Sequence, residues 1–447
     1  MNTPGPRVVI DERVSESRAM LLLAGPLAVQ QVGNHLMGLV DAAMLGRYSD
    51  AALAGAGVGN NLNFAITCIG LGIIMGMDTI VPQALGAGRT EEARRAVGAG
   101  LRLAVLVGLL TTLVVFASPL VLKLADVEPD VLHEARVFIY LRALGAVPFL
   151  GMVALRSYLA AHGKTRPLVL AVVIGNIANA GLDLALIYGV PALGIPSLGV
   201  LGAALATTFV QIMMLLVYWL AVRAIDAGTP RPPSTSADML TILKYGGPVG
   251  GQLFLEVGIF GAATVMCAHI GKLAAGAHSI ALNLSSLTFA FALGVASATS
   301  VRVGHAVGAG DLALARRRGL LGLQLGLAVM ACFAATFVLL PRLLAGLFTA
   351  ETAMVASAIP LLQIAALFQL SDGAQAVTAG ALRGLGDTHA TMIGNLIGHY
   401  AVGLPLILAL AFGAGLGAPG IWFGLSAGLT ATALYLIYRF LKGTRQK

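Results

Sequence analysis

Apolar residues run almost unbroken for 20 residues or more at a time, and polar residues come in short clusters between the runs. The apolar positions are not confined to one helical face. Each run therefore reads as a helix surrounded by hydrocarbon, and about 20 such residues cross a bilayer. The pattern predicts about twelve spans, near 19–46, 53–83, 97–122, 131–155, 167–190, 198–223, 243–271, 276–301, 319–340, 354–382, 391–412 and 418–440. The predicted fold class is all-α integral membrane. The most polar interior stretch, Ala224–Met239, holds Pro230, Pro232 and Pro233 among Ser and Thr, which is linker chemistry. It divides the chain into an expected N-lobe (1–225), a cytoplasmic linker (226–240) and a C-lobe (241–447).

The two halves repeat. GAGRTEEARRA (Gly86–Ala96) returns as GAGDLALARRR (Gly308–Arg318), offset by 222. The same offset pairs Gly25-Pro26 with Gly247-Pro248, Gln30 with Gln252, and Asn61-Leu62 with Asn283-Leu284. Six spans per half is an even number, so both halves have one orientation. They are expected to form two six-helix lobes related by a pseudo-twofold axis along the membrane normal, a transporter signature.

Composition agrees with this pattern. The chain is 58% hydrophobic and 11% charged, against about 25% charged for a soluble protein, which excludes a soluble two-domain protein. A net charge of +8 would suggest nucleic acid in a soluble chain. Here Lys and Arg sit in short loops, and 22 of the 28 fall on one side of the predicted membrane. That is the positive-inside asymmetry, so a multi-pass inner (plasma) membrane protein with both termini cytoplasmic is expected, without a nucleic-acid partner. No cleavable signal pattern precedes the first span. Cys68, Cys267 and Cys332 lack metal spacing and read as packing residues.

A charge at the bilayer centre costs about 2.5–3.5 kcal/mol on insertion scales and usually marks function. Among the carboxylates inside predicted spans, four stand out: Asp41, Asp183, Glu256 and Asp372. Asn179 lies one helical turn before Asp183, Gln252 one turn before Glu256, and Gln375 one turn after Asp372, so each pair shares a helix face. Oxygen-rich neighbours suit a hard cation such as Na+. They equally suit a carboxyl that takes up a proton, or a buried packing strut. Asn34, Gln252, Asn283 and Gln375 are candidates for lining a cavity. Phe368 reads either as cavity lining or as aromatic packing. Asp78, near the end of a span, reads as solvated or helix-terminal. His162-Gly163-Lys164-Thr165 fails as a phosphate loop, because position 158 is Tyr158 rather than Gly. No ATPase engine, enzyme activity, cofactor or structural metal is expected.

The stretches GLVDAAMLG (Gly38–Gly46), HGKTRP (His162–Pro167), QLFLEVGIF (Gln252–Phe260), AHSIALNLSSLTF (Ala277–Phe289), SVRVGHAVGAGD (Ser300–Asp311) and LFQLSDGAQAVTAGALRGLGDT (Leu367–Thr388) together resemble the multidrug and toxic compound extrusion (MATE) transporters. The likeness is greatest to their NorM-like branch and covers nearly the whole chain. The resemblance implies an efflux antiporter built from two six-helix lobes around a central cleft; with both lobes in a single chain, function as a monomer is expected. It would exchange Na+ or H+ for amphiphilic, often cationic organic compounds. It places the C-lobe cation site on Glu256 and Asp372, and the N-lobe ion or substrate site on Asp41, Asn179 and Asp183. Some members carry Tyr where this chain has Met37 and Phe368, which leaves the choice between Na+ and H+ open. The alternative is a flippase of lipid-linked saccharides from the same superfamily. Those proteins usually line the cavity with basic residues, whereas the intramembrane charges here are acidic.

Overall fold

A chain immersed in hydrocarbon must satisfy every backbone N–H and C=O internally, which leaves helices as the economical solution for these runs. The computed structural model describes residues 15–124 and 128–445. The polar segment 1–14, and the side of the membrane expected for it, lie outside the described residues. Helices account for nearly all the rest, and among the described residues the only β-pairing is an isolated bridge between Val190 and Ile195. Among the described residues ten helices are long and apolar enough to cross a membrane. An eleventh crossing is the pair α6 (Pro129–Ala143) and α7 (Ala146–Ala161), bent by 47°. The predicted span 131–155 is this bent pair. The first helix, α1 (Glu16–Tyr48), has 33 residues and a length of about 50 Å at 1.5 Å per residue. Gln30, Gln31, Asn34, His35 and Asp41 make it less apolar than the others.

The predicted span 53–83 is α2 (Asp50–Ile74) followed, after a break at Met75-Gly76, by α3 (Met77–Gly86). The remaining helices are α4 (Thr90–Ala117), α5 (Pro119–Leu124), α8 (Arg166–Ile187), α9 (Val200–Ile225), α10 (Ser236–Ile270), α11 (Lys272–Gly308), α12 (Leu312–Leu339), α13 (Pro341–Gly346), α14 (Thr352–Leu385), and the spans Thr388–Gly413 and Ala418–Gly443. The 222-residue repeat reappears as structure. The short helices α5 and α13 open on Pro119 and Pro341, 222 apart. Their Pro stands where a missing N–H costs nothing. Side-chain caps fix other starts: Ser49 accepts from the Ala52 N–H, and Asp311 accepts from the Leu314 N–H at 2.8 Å.

The described chain forms two compact units that follow the halves except at exchanged segments. One unit joins residues 15–28 and 78–88 to 251–445; the other joins 29–77 to 89–250. The boundaries 1–225, 226–240 and 241–447 describe the repeat, while the compact units depart from them at residues 15–28, 78–88 and 226–250. Within the first unit α3 lies against α11 and α14. The Thr79 hydroxyl donates to the Arg383 carbonyl at 2.6 Å, and the Gln83 amide donates to the Gly384 carbonyl at 2.9 Å. Backbones touch there because the residues are glycines. A methyl group on Gly86 would strike the His305 carbonyl oxygen, and one on Gly308 would strike that of Gln83. Shifting either contact by 222 residues gives the other. The approach of Gly294 to Ala28 in this unit matches that of Gly72 to Gly250 in the other by the same shift.

Several expectations change. Asp78 is not solvated; it is buried as the second residue of α3, so the helix-terminal reading holds. Cys68 and Cys267 are buried, but Cys332 is exposed on α12. The proline-rich linker is shorter than expected, because α10 begins at Ser236. It is docked rather than loose: buried Asp226 meets Arg94 at 3.3 Å and Arg231 at 3.1 Å and accepts from the Tyr158 hydroxyl at 2.8 Å. Arg102 donates to the Ser234 carbonyl at 2.7 Å.

Forcing a methyl group into a packed contact typically costs about 1–3 kcal/mol. Gly86→Ala and Gly308→Ala are therefore expected to lower the melting temperature of the detergent-solubilised protein. Gly57→Ala, at a position with nothing within 4 Å, should leave it unchanged or raised.

Candidate ion and substrate sites

Asp41 lies on α1, Asn179 and Asp183 on α8, and Thr207 on α9, all in the unit formed by residues 29–77 and 89–250. The helical periodicity of GNIANAGLDLALIYG turns Asn179 and Asp183 to one face, and both are wholly buried. They stand beside Asp41. The Thr207 hydroxyl donates to Asp41 Oδ2 at 2.8 Å. Asp41 Oδ1, both Asp183 oxygens and Asn179 Oδ1 are buried without a donor among the described residues. Arg142, at the end of α6, is within electrostatic range of Asp41, though among the described residues no Lys or Arg nitrogen forms an ion pair with either carboxylate. Asn34 is half-buried on α1. The neighbouring Asn176 spends its amide on the Gly33 carbonyl at 3.0 Å and the Val172 carbonyl at 2.8 Å, fastening α8 to α1.

Thr207 and Arg142 escaped the sequence reading. Thr207 sits in an apolar run where a hydroxyl ordinarily bonds its own helix, and it does bond the Ala203 carbonyl at 3.0 Å. Arg142 offered a signal: a lone cation in LRALGAV, on the side of the membrane poor in basic residues.

The second cluster lies in the other unit. Glu256 and Gln252 come from α10, Asp372 and Gln375 from α14, and all four are buried. The Gln375 amide donates to Glu256 Oε2 at 3.4 Å. Gln252 stands beside Glu256, and Asp372 is within electrostatic range of it. Among the described residues neither carboxylate forms an ion pair. The Thr388–Gly413 span runs as wide π-helical turns over Leu396–Gly403 and Ala409–Gly413, a feature frequent at functional sites. From it the Tyr400 hydroxyl donates to the Leu255 carbonyl at 2.9 Å, one residue before Glu256.

Two sequence candidates fall elsewhere. Asn283 is exposed, and its amide returns to the Ser279 carbonyl of its own helix at 2.8 Å. Phe368 is buried in an aromatic cluster, with ring centroids 5.9 Å from Phe260 and 5.4 Å from Trp422. His278 and His399 edge the same cluster. Among the described residues no three of His, Cys, Asp or Glu converge as a metal site. Each cluster instead gathers two carboxylates with amide or hydroxyl oxygens. Such a set can hold a single monovalent cation, or hold protons.

A polytopic helical membrane protein with an internal repeat and one buried acidic cluster in each unit is thus in place. The family model MatE matches residues 26–185 and again 248–408, two copies whose starts differ by the repeat offset. The protein named "Probable multidrug resistance protein NorM" of Deinococcus radiodurans is 37% identical, over 99% of this chain and 98% of its own. "Multidrug resistance protein NorM" of Burkholderia vietnamiensis is 35% identical, over 94% and 92%. The chain belongs to the MatE family of membrane transporters, on its NorM-like branch. Its fold matches the eukaryotic MATE transporter AtDTX14 with a TM-score of 0.88 at 21% identity, covering 96% of this chain and 97% of the other. It also matches a MOP-superfamily transporter of Pyrococcus furiosus, whose pocket is described as of reversed polarity, with a TM-score of 0.86 at 21% identity and full coverage of both chains.

Thr207→Val keeps the side-chain volume and deletes the hydroxyl that donates to Asp41 Oδ2. Leaving a buried acceptor unpaired costs about 1–3 kcal/mol. A fall in melting temperature is therefore expected for Thr207→Val, and a smaller one for Thr207→Ser, which retains the hydroxyl.

Proposed function

We propose that the protein is a secondary active multidrug efflux antiporter of the inner membrane. It exports amphiphilic, often cationic organic compounds in exchange for Na+ or H+. The observation that carries this reading is the pair of buried acidic clusters, one per unit, in which no carboxylate is neutralised by an ion pair among the described residues. A buried carboxylate without a cationic partner is costly to keep charged, and a coupling ion or a proton removes that cost. The names of the NorM relatives support the drug substrates. The positive-inside asymmetry supports cytoplasmic termini. Both halves of the repeat lie in one chain, which supports function as a monomer.

In this reading the C-lobe cation site is Glu256 with Asp372, oriented by Gln252 and Gln375. Asp41, Asn179 and Asp183 form the N-lobe ion or substrate site, with Thr207 orienting Asp41. An ion driven onto these carboxylates in the outward-open state weakens drug binding, and the drug leaves. Coupling of this kind requires each ligand to favour a different state of the protein. Each elementary charge that moves down a membrane potential supplies about 2.3 kcal/mol per 100 mV. The lobes then rock to reopen inward. The docking of residues 226–234 supports placing the bend within or beyond α10's first turns rather than in the proline-rich linker.

The test is efflux of a fluorescent organic cation from proteoliposomes under an Na+ gradient, then under a proton gradient without Na+. Glu256→Gln with Asp372→Asn is expected to reduce gradient-driven efflux at least tenfold while equilibrium binding of the cation persists. Undiminished transport would remove the C-lobe site. Absence of efflux under both gradients, with measurable lipid scrambling, would move the assignment to the flippase.

A further inference from the structure

The arginine-rich start of α12 plays no part in either acidic cluster, yet it lines a concave pocket. Ser17 of α1 and Ala313, Arg316, Arg317, Leu320, Leu321 and Gln324 of α12 form its wall. The repeat shows what such a surface requires. The residues 222 positions earlier are Arg94, Gly98 and Arg102 in place of Arg316, Leu320 and Gln324. In α4 that face is covered by the chain itself. Asp226 gives Arg94 a carboxylate at 3.3 Å, Ser234 packs on Gly98, and the Ser234 carbonyl accepts from Arg102.

Among the described residues the α12 face has no such cover. Arg316 makes one long contact, to the Leu441 carbonyl at 3.5 Å. Arg317 is exposed, and among the described residues no carboxylate lies within 4 Å of either guanidinium. The nearby acid Glu16 is already held by Arg302 and by Arg318, the latter at 2.9 Å. The pocket therefore carries an uncompensated double positive charge.

Its position sets the chemistry of the occupant. A helix of 28 residues is about 42 Å long at 1.5 Å per residue, close to the full thickness of a bilayer with its headgroups. Arg316 and Arg317, the fifth and sixth residues of α12, fall at headgroup level. Leu320 and Leu321 lie one turn deeper, at the edge of the hydrocarbon. Guanidinium groups beside leucines at that depth match a phosphodiester with its acyl chains, and guanidinium binds phosphate through two parallel hydrogen bonds. We propose that this pocket binds an anionic phospholipid, with the phosphodiester on Arg316 and Arg317 and the first part of an acyl chain against Leu320 and Leu321.

The full-length protein would be purified and its retained lipid measured by native mass spectrometry in mixed micelles of phosphatidylglycerol and phosphatidylcholine. Wild type is expected to retain phosphatidylglycerol roughly thirtyfold over phosphatidylcholine, given the contribution of each of the two basic residues near an anionic surface. Arg316→Gln with Arg317→Gln should abolish the preference. Arg317→Gln alone, at an exposed position that folding tolerates, should lower it about fivefold. Arg342→Gln, which removes an exposed charge on α13, should leave it intact. Excess inorganic phosphate should not displace the lipid.

Equal retention of the two lipids would overturn the proposal, as would an equal loss in Arg342→Gln. Displacement by inorganic phosphate would reassign the pocket to a free anion. A preference that emerges only when Asp11 and Glu12 are neutralised would assign the pocket to the chain's own acidic segment.

Discussion

A carboxyl group midway along an apolar helix is the constraint around which this protein is arranged. Water is not at hand to solvate it, so its hydrogen-bonding partners must come from neighbouring helices. Asp41 recruits Thr207 from α9, and Glu256 recruits Gln375 from α14. Each acid thereby dictates which helices must be neighbours. The partners are few and neutral, and several oxygens in the first cluster have no donor at all among the described residues. A structural ion pair would have satisfied these acids permanently. Sets this sparse instead leave their charge to be balanced by something that comes and goes, which supports the antiport reading.

The second organising contact is between backbones rather than side chains. Lipid is as apolar as leucine, so membrane helices gain little from hydrophobic association and rely on close packing. Gly86 against His305 and Gly308 against Gln83 are the same contact made twice, once from each copy of the repeat. Around them, hydroxyl and amide groups of α3 reach carbonyls in the last turn of α14. Such contacts are short and specific to glycine, and they can be made or broken without stranding a large buried apolar surface.

Much of this was legible in the sequence because hydrocarbon imposes a long, unambiguous period on the chain. The helical membrane class, the repeat and the family followed from apolar runs and from Gly-rich loops at a fixed offset, whereas the expected twelve spans compare with ten, or eleven with the bent pair, among the described residues. The clusters around Asp183 and Glu256 were legible because their partners are local: Asn179 and Gln252 sit one turn away on the same helix. What was lost required knowledge of which helices touch. Thr207 looks like any helix-bonding threonine until α9 is placed beside α1. Phe368 could have faced a cavity until Trp422 and Phe260 were brought against it. The docking of the linker was not legible, because Pro and Ser content says nothing of contacts with Arg94 and Arg102, more than 120 residues earlier.

The exchange of segments between the two compact units also bears on how the protein is made. The unit built from residues 29–77 and 89–250 has all its parts once residue 250 has been synthesised. Residues 15–28 and 78–88 emerge before most of that unit, yet their packing partners lie beyond residue 250. They must therefore wait in the membrane until the second half of the chain arrives. Domains otherwise fold as units from the N-terminus as the ribosome delivers them. In this chain the opening turns of the first helix to be inserted are among the last to find their partners, so a ribosome that stalls midway leaves one unit complete and the beginning of α1 without a home.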